Sequence, residues 1–186
     1  MIIKMKKIFF FFAIFAILNL NLFAQEAVQL TNTKNTEIIY TLSHPAHEVE
    51  AKSKDLQVKI EYDKKGNKVT KAIAMVKVTS FDSGNSSRDS HAMESIESTK
   101  YPTATFKSSS FAYDGDSLKI YGSITFHGVT KLLTINAKQS LSGNYLKITG
   151  RFGISLDHHN VERPKLLFVP TDEYLHFSFT ADFNIK

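Results

Sequence analysis

None of the chain's 186 residues is a cysteine. That excludes disulfide staples, thiolate metal centres, cysteine nucleophiles and a lipid-modified N-terminal cysteine, so an exported domain of this sequence is held by its core alone. Tryptophan is also absent, and four prolines and eight glycines are too few for a Pro/Gly-rich linker between domains. There is no block of like charge and no low-complexity tract. No repeat unit of roughly 20 to 50 residues is visible, which excludes solenoids and propellers. A G-x-S-x-G elbow and a phosphate-cradling glycine loop are both missing, so the sequence signals of α/β-hydrolases and P-loop enzymes are not met.

A strong net charge is missing too, once the N-terminus is set aside. Lys4, Lys6 and Lys7 precede an unbroken apolar run from Ile8 to Leu18, and Ala24 stands before the polar Gln25. A basic start, a short apolar stretch and a small residue before a polar one describe a secretory signal peptide, with cleavage expected near Ala24. The run is shorter than the roughly 20 apolar residues a membrane span needs. Residues 1–24 hold three lysines and no acids; of 23 basic and 18 acidic residues, 20 and 18 remain, a formal +2 instead of +5. The expectation is a periplasmic or secreted domain over 25–186 with no nucleic-acid partner and no stable membrane insertion after cleavage. That length suits one domain, able to bury roughly two thirds of its unfolded surface.

What is present is alternation. Leu146, Ile148, Gly150, Phe152, Ile154 and Leu156 share one parity, opposite Lys147, Thr149, Arg151 and Ser155. Leu175, Phe177, Phe179, Ala181, Phe183 and Ile185 alternate with Tyr174, His176, Ser178, Thr180 and Asp182. A period of two over such lengths means strands with one dry and one wet face. Further strands are expected over about 36–43, 55–62, 68–80, 103–113, 118–126 and 131–141, with turns at Lys65-Gly-Asn67, Asp114-Gly-Asp116 and Ser142-Gly-Asn144. The last strand carries no edge-protecting lysine or proline in its middle, which favours a closed sheet. A helix is expected over about 87–98, ended by Tyr101-Pro102, and a short helix or loop between Val161 and Asp172. The fold expected is all-β with one short helix, an antiparallel barrel.

Few residues offer chemistry. His44 and His47 form an H-x-x-H, but Pro45 between them denies the helix that would bring two ligands together. Asp157-His158-His159 reads as a polar loop, because adjacent strand side chains face opposite ways. Asp89 and His91 stand near several serines, yet a triad is a geometry and not a composition. No metal site, catalytic residue or cofactor is expected, and the chain is not expected to be an enzyme. Nine phenylalanines follow residue 24, and Phe81, Phe106, Phe126, Phe152, Phe177, Phe179 and Phe183 fall in strand-like stretches. Periodicity does not distinguish a packed aromatic core from an aromatic-lined tunnel, since an eight-stranded barrel can be just filled or hold one small ligand.

Three ordered segments carry more. Phe81-Asp82-Ser-Gly84-Asn85-Ser-Ser-Arg88-Asp89-Ser-His91 reads as strand end, turn and helix start. Ser86 three residues ahead of Asp89 gives a capping-box pattern. Lys100-Tyr101-Pro102 leads to Phe106, and Phe126-His-Gly128-Val-Thr-Lys131 follows, its glycine suited to a tight hairpin bend. In this order and spacing the segments, with Glu162-Arg-Pro164 before Leu166-Leu-Phe168, resemble the YceI-like family of polyisoprenoid-binding periplasmic proteins.

The resemblance covers about 38–186. It implies an extended antiparallel eight-stranded lipocalin-like β-barrel, often dimeric, enclosing an isoprenoid or other amphiphilic lipid without turnover. Asp82, Gly84, Asn85, Arg88, Asp89, His91, Pro102 and Gly128 are expected to be architectural, Arg88 and Asp89 tying the helix to the sheet. Strand parity nominates Phe81, Phe106, Phe126, Phe152, Ile154, Phe177 and Phe179 as the channel wall. The alternatives left open are an envelope stress or interaction protein with a solid barrel and a protein partner, and a metal- or heme-handling protein.

Overall fold

A computed structural model describes residues 27–166 and 168–185; the proposed signal segment, 1–24, lies outside them. Strands β1 (Ala27–Thr31), β2 (Glu37–His44), β3 (His47–Ser53), β4 (Gln57–Asp63) and β5 (Lys68–Lys77) precede the helix α1 (Ser86–Ser95). After it come β6 (Thr103–Asp114), β7 (Ser117–Phe126), β8 (Val129–Ser142) and β9 (Tyr145–Ser155). A two-stranded hairpin of β10 (Lys165–Leu166) and β11 (Val169–Pro170) and the long β12 (Tyr174–Asn184) complete the chain.

Ten of these strands form one antiparallel sheet in the order β1-β4-β5-β6-β7-β8-β9-β12-β2-β3. The sheet curls until its ends meet other parts of it. Asn32, just past β1, bridges Phe183 of β12, and Lys52 of β3 bridges Asp82 beyond β5. The eight strands expected are therefore ten in the main sheet, and the helix or loop expected between Val161 and Asp172 is the β10–β11 hairpin. The main-sheet strands missed by pattern are β1 and β3, the latter despite a clear alternation. On β3, Glu48, Glu50 and Lys52 face solvent while Ala51 and Ser53 are buried, so a polar composition hid an ordinary alternation. β12 is no edge: it pairs with β9 on one side and β2 on the other.

Two β-bulges set which residues face inward. On β6 the register shifts between Ser108 and Ser110, so Phe106 before it and Phe111 and Tyr113 after it share the inner face despite opposite parity. A second shift at Glu61/Tyr62, opposite Thr70, does the same for Val69 and Ala72 on β5. Backbone groups freed by the shifts are caught by side chains. Ala72 N–H donates to Ser108 Oγ at 2.8 Å, and Val69 N–H donates to the Tyr113 hydroxyl at 2.8 Å, which in turn donates to Val69 O at 2.9 Å. Burial pushes the Tyr113 phenol up to about 12, so it remains a donor throughout the physiological range.

The β7–β8 hairpin turns on His127 and Gly128, both with positive φ (49° and 73°), the two-residue turn whose twist matches its strands. A Cβ on Gly128 would stand 2.6 Å from the Tyr101 ring. Both backbone angle and space therefore demand glycine there.

Candidate functional site

The interior of the curled sheet contains a cavity of about 180 Å³. A void that holds one water needs only ~10–15 Å³. The cavity's wall takes the inward rows of the strands: Ile38, Tyr40 and Leu42 from β2, Phe152 and Ile154 from β9, Leu175, Phe177 and Phe179 from β12. At one end α1 supplies Ala92 and Met93, and Ile96, just past its last residue, joins them. None of the helix's residues is fully buried, so it closes the wall without burying a side chain completely. Among the described lining residues only Tyr40, Ser95 and Thr105 carry a side-chain nitrogen or oxygen.

The seven residues nominated by parity, Phe81, Phe106, Phe126, Phe152, Ile154, Phe177 and Phe179, all line this cavity. Phe152 and Phe177 stack with centroids 4.9 Å apart at 11°, and Phe81 packs on Tyr40 at 5.2 Å. Phe179 lies across Gly150, its registered partner, where a Cβ would come within 2.5 Å of the ring. Tyr40, Leu42, Phe111, Met93 and Ile96 were not nominated. Tyr40 and Leu42 could have been found from the Ile38-Tyr40-Leu42 alternation, and Met93 and Ile96 from their spacing of three on a helix. Phe111 could not, because the bulge reverses its parity.

The residues expected to be architectural gather beside one end of the cavity. Asp82 exchanges backbone hydrogen bonds with Lys52 at 2.9 and 3.0 Å, and its carboxylate accepts from Gly84 N–H at 2.7 Å. Gly84 sits at φ 75°. The helix cap is Asn85, not Ser86: the Asn85 side chain accepts from Arg88 N–H at 3.1 Å. Asp89, freed from the capping-box role, reaches back to accept from the Ser83 hydroxyl at 2.6 Å and from Ser83 N–H at 3.3 Å. Arg88 donates from Nε to Ser83 Oγ and from Nη2 to Ser83 O, at 2.9 and 2.8 Å. Helix and sheet are thus joined through Ser83, one residue beyond the Lys52–Asp82 bridge. His91 is exposed on the helix, and the helical segment ends at Ser95 instead of continuing to 98. Pro102 accepts from Val78 N–H at 3.0 Å as β6 begins.

The histidines do not assemble a reactive centre. His44 and His47 face each other across the β2–β3 turn with ring centroids 5.7 Å apart. His44 is engaged on both ring nitrogens, Nδ1 accepting from Ala46 N–H and Nε2 facing Val169 O. His127 bonds His159 O through Nδ1 at 2.9 Å and Glu97 Oε2 through Nε2 at 3.0 Å, fastening the β7–β8 turn to the chain beyond α1. His159 is 2% exposed; its Nδ1 donates to Ser155 O at 2.8 Å and its Nε2 meets no partner. Burial lowers its pKa below the ordinary 6.5, the Ser155 bond opposing and the charges of Lys131, His158 and His127 adding. Among the described residues no histidine ring is hydrogen-bonded to a serine hydroxyl, and no three His, Asp or Glu side chains converge as metal ligands.

A curled antiparallel barrel with an apolar interior and one helix at its end defines the lipocalin-like class. The chain belongs to the YceI-like domain family, whose model matches residues 30–183. Protein YceI of Shigella flexneri is 39% identical over 87 residues, 46% of either chain, and YceI of Escherichia coli O157:H7 is 38% identical over the same share. The chain spans about half the length of the curated relatives it matches. Among solved structures, Burkholderia cenocepacia BcnA superimposes with a TM-score of 0.71 at 19% identity, covering 79% of this chain and 95% of that one. A polyisoprenoid binding domain from Saccharophagus degradans superimposes with a TM-score of 0.61 at 10% identity, covering 86% of this chain and 99% of that one. No helix among the described residues is long and apolar enough to cross a membrane.

Proposed function

We propose that this protein is an exported, non-catalytic carrier that sequesters an isoprenoid-type or other amphiphilic lipid inside its barrel, working in the periplasm. The observation that carries the reading is the cavity wall, in which only Tyr40, Ser95 and Thr105 interrupt an aliphatic and aromatic surface. Such a wall rewards transfer of a hydrocarbon chain from water and little else. Each CH₂ buried is worth about 0.8 kcal/mol, so ten of them supply about 8 kcal/mol before the costs of immobilising the chain. Family membership and the fold shared with a polyisoprenoid binding domain support the same reading. The Lys-rich, apolar N-terminal stretch supports export. Nothing in the site speaks for catalysis: Ser83, Arg88 and Asp89 are spent on one another, and among the described residues the cavity wall carries no carboxylate, histidine or lysine to activate its three hydroxyls.

The test is solvent extraction of protein purified gently from its native envelope, with mass spectrometry of the extract beside a mock purification. A stoichiometric isoprenoid or quinone-like species absent from the mock is the expected result. A clean extract, repeated after exposure to added polyprenols, would overturn the carrier reading in favour of a barrel that works through a protein partner.

A further inference from the structure

The outer face of the sheet carries a second concavity, larger than the interior one and of opposite character. It is a trough of about 890 Å³ laid across six neighbouring strands, β6, β7, β8, β9, β12 and β2. Register stacks its outward side chains in two rows. Lys119, Asn136, Arg151 and Ser178 stand side by side in one, and Ser117, Lys138, Thr149 and Thr180 in the other. Their parity is opposite to that of Ile120, Ile135, Ile148 and Phe177, which line the interior cavity. The sheet itself therefore separates the two concavities.

Charge of one sign gathers there. β7, β8 and β9 contain no aspartate or glutamate but five basic residues, Lys119, Lys131, Lys138, Lys147 and Arg151. Dispersed along the chain they form no block; antiparallel pairing of three consecutive strands collects them on one panel. Lys119, Lys138 and Arg151 line the trough around Asn136. Strands lie about 4.8 Å apart, so Lys119 and Arg151, two strands apart in one row, are about 10 Å apart at the backbone. All three cations are exposed, and none of their side chains makes a hydrogen bond or ion pair among the described residues. The ion pairs of lysine and arginine are made elsewhere, by Lys71, Lys77, Lys100, Arg163 and Lys165. The trough's two acids, Glu37 and Asp114, sit at its opposite ends on β2 and β6. Between the charges stand Ser117, Asn136, Thr149, Ser178 and Thr180, whose side chains are bonded to nothing else among the described residues.

We propose that this trough is a binding site for an acidic saccharide, a polyhydroxyl chain bearing anionic groups. The cations meet the anionic groups, and the hydroxyls and amide between them bond the sugar hydroxyls. Because the cations are already exposed, binding requires no burial of an unpaired charge. A flat bilayer does not enter a trough, and a single small anion would use only a fraction of six strands. The site lies outside the barrel and is independent of any cargo held within.

The experiment titrates the full exported chain at low salt with three probes: trigalacturonate, maltotriose and citrate. They separate an acidic sugar from a neutral sugar of the same length and from the same number of carboxylates without sugar. Trigalacturonate should bind roughly tenfold more tightly than either, the worth of one strong or two ordinary hydrogen bonds. Its affinity should fall as salt is raised, since exposed charges are screened. Lys138→Gln and Arg151→Gln should each weaken it by roughly two- to fivefold, the range of one exposed charge pair. Lys59→Gln removes an equal charge from the outer face of β4, beyond the trough, and should leave it unchanged. Maltotriose or citrate binding as tightly as trigalacturonate, an equal loss in Lys59→Gln, or no binding of trigalacturonate would overturn the assignment. The altered residues are all exposed, and the comparison among probes in the unaltered protein needs no variant to fold. None of these outcomes bears on lipid carriage, which stands or falls by the extraction above.

Discussion

The two ends of the barrel are built from the same residue types to opposite effect. At the end where the β4–β5, β6–β7 and β8–β9 hairpins turn, Leu146 and Phe183 are registered opposite one another, each 0% exposed. Tyr62 and Val69 are likewise paired and fully buried, and the Tyr113 hydroxyl knits Val69 into the sheet. Toward the helix, Tyr40, Phe81, Phe152 and Phe177 are only half-buried and face the cavity, closed by a helix with no fully buried residue. A single strand, β12, carries the gradient: Phe177, Phe179, Ala181 and Phe183 all border the cavity, but the first two are half-buried and the last two fully buried. Aromatic content alone therefore does not decide whether a barrel is solid. The division of volume along its axis does.

The largest expected effect separates the two ends directly. Leu146→Ala leaves a hole in a fully packed region away from the cavity and should lower stability by about 2–5 kcal/mol, read by denaturant unfolding. Phe177→Ala already borders empty space, so fewer of its contacts are lost. It should cost less than half as much while weakening polyprenol binding several-fold. Equal destabilisation by the two would abolish the distinction. Next in size, Tyr113→Phe strips Val69 N–H and C=O of their side-chain partner at the packed end and should cost about 1–3 kcal/mol without altering lipid affinity.

The smallest effect is a pH slope. Because His159 has a lowered pKa when folded, the unfolded chain binds the extra proton first, and stability is lost as pH falls below about 6.5 toward the folded value. Unfolding of the wild type should show that loss, and His159→Gln should flatten it. An unchanged slope in the variant would place the acid sensitivity elsewhere.

Alternation made most of this fold legible. The inward rows of β9 and β12 were readable because their dry faces are uninterrupted, and the β4–β5, β6–β7, β7–β8 and β8–β9 turns because glycine marks each one. β3 was not, since its outward Glu48, Glu50 and Lys52 outnumber the small residues it buries. Phe111 was hidden by a bulge that no residue type announces, and Asn85 took the cap that Ser86 was equally able to fill. The cavity residues were legible as a face, but the cavity was not. A void is a property of how ten strands divide a volume, and the period of any one strand is the same around a filled barrel and a hollow one.

The most direct measurement of the hollow end is a set of isotope-filtered NOEs from a bound polyprenol to the protein's aromatic and methyl protons. Cross-peaks from the isoprenoid chain to the rings of Phe81, Phe152 and Phe177, with none to the methyls of Leu146, are the predicted result. Cross-peaks confined to outward-facing residues such as Tyr121 and Leu132, or none at all at saturating polyprenol, would contradict a carrier that holds its cargo inside.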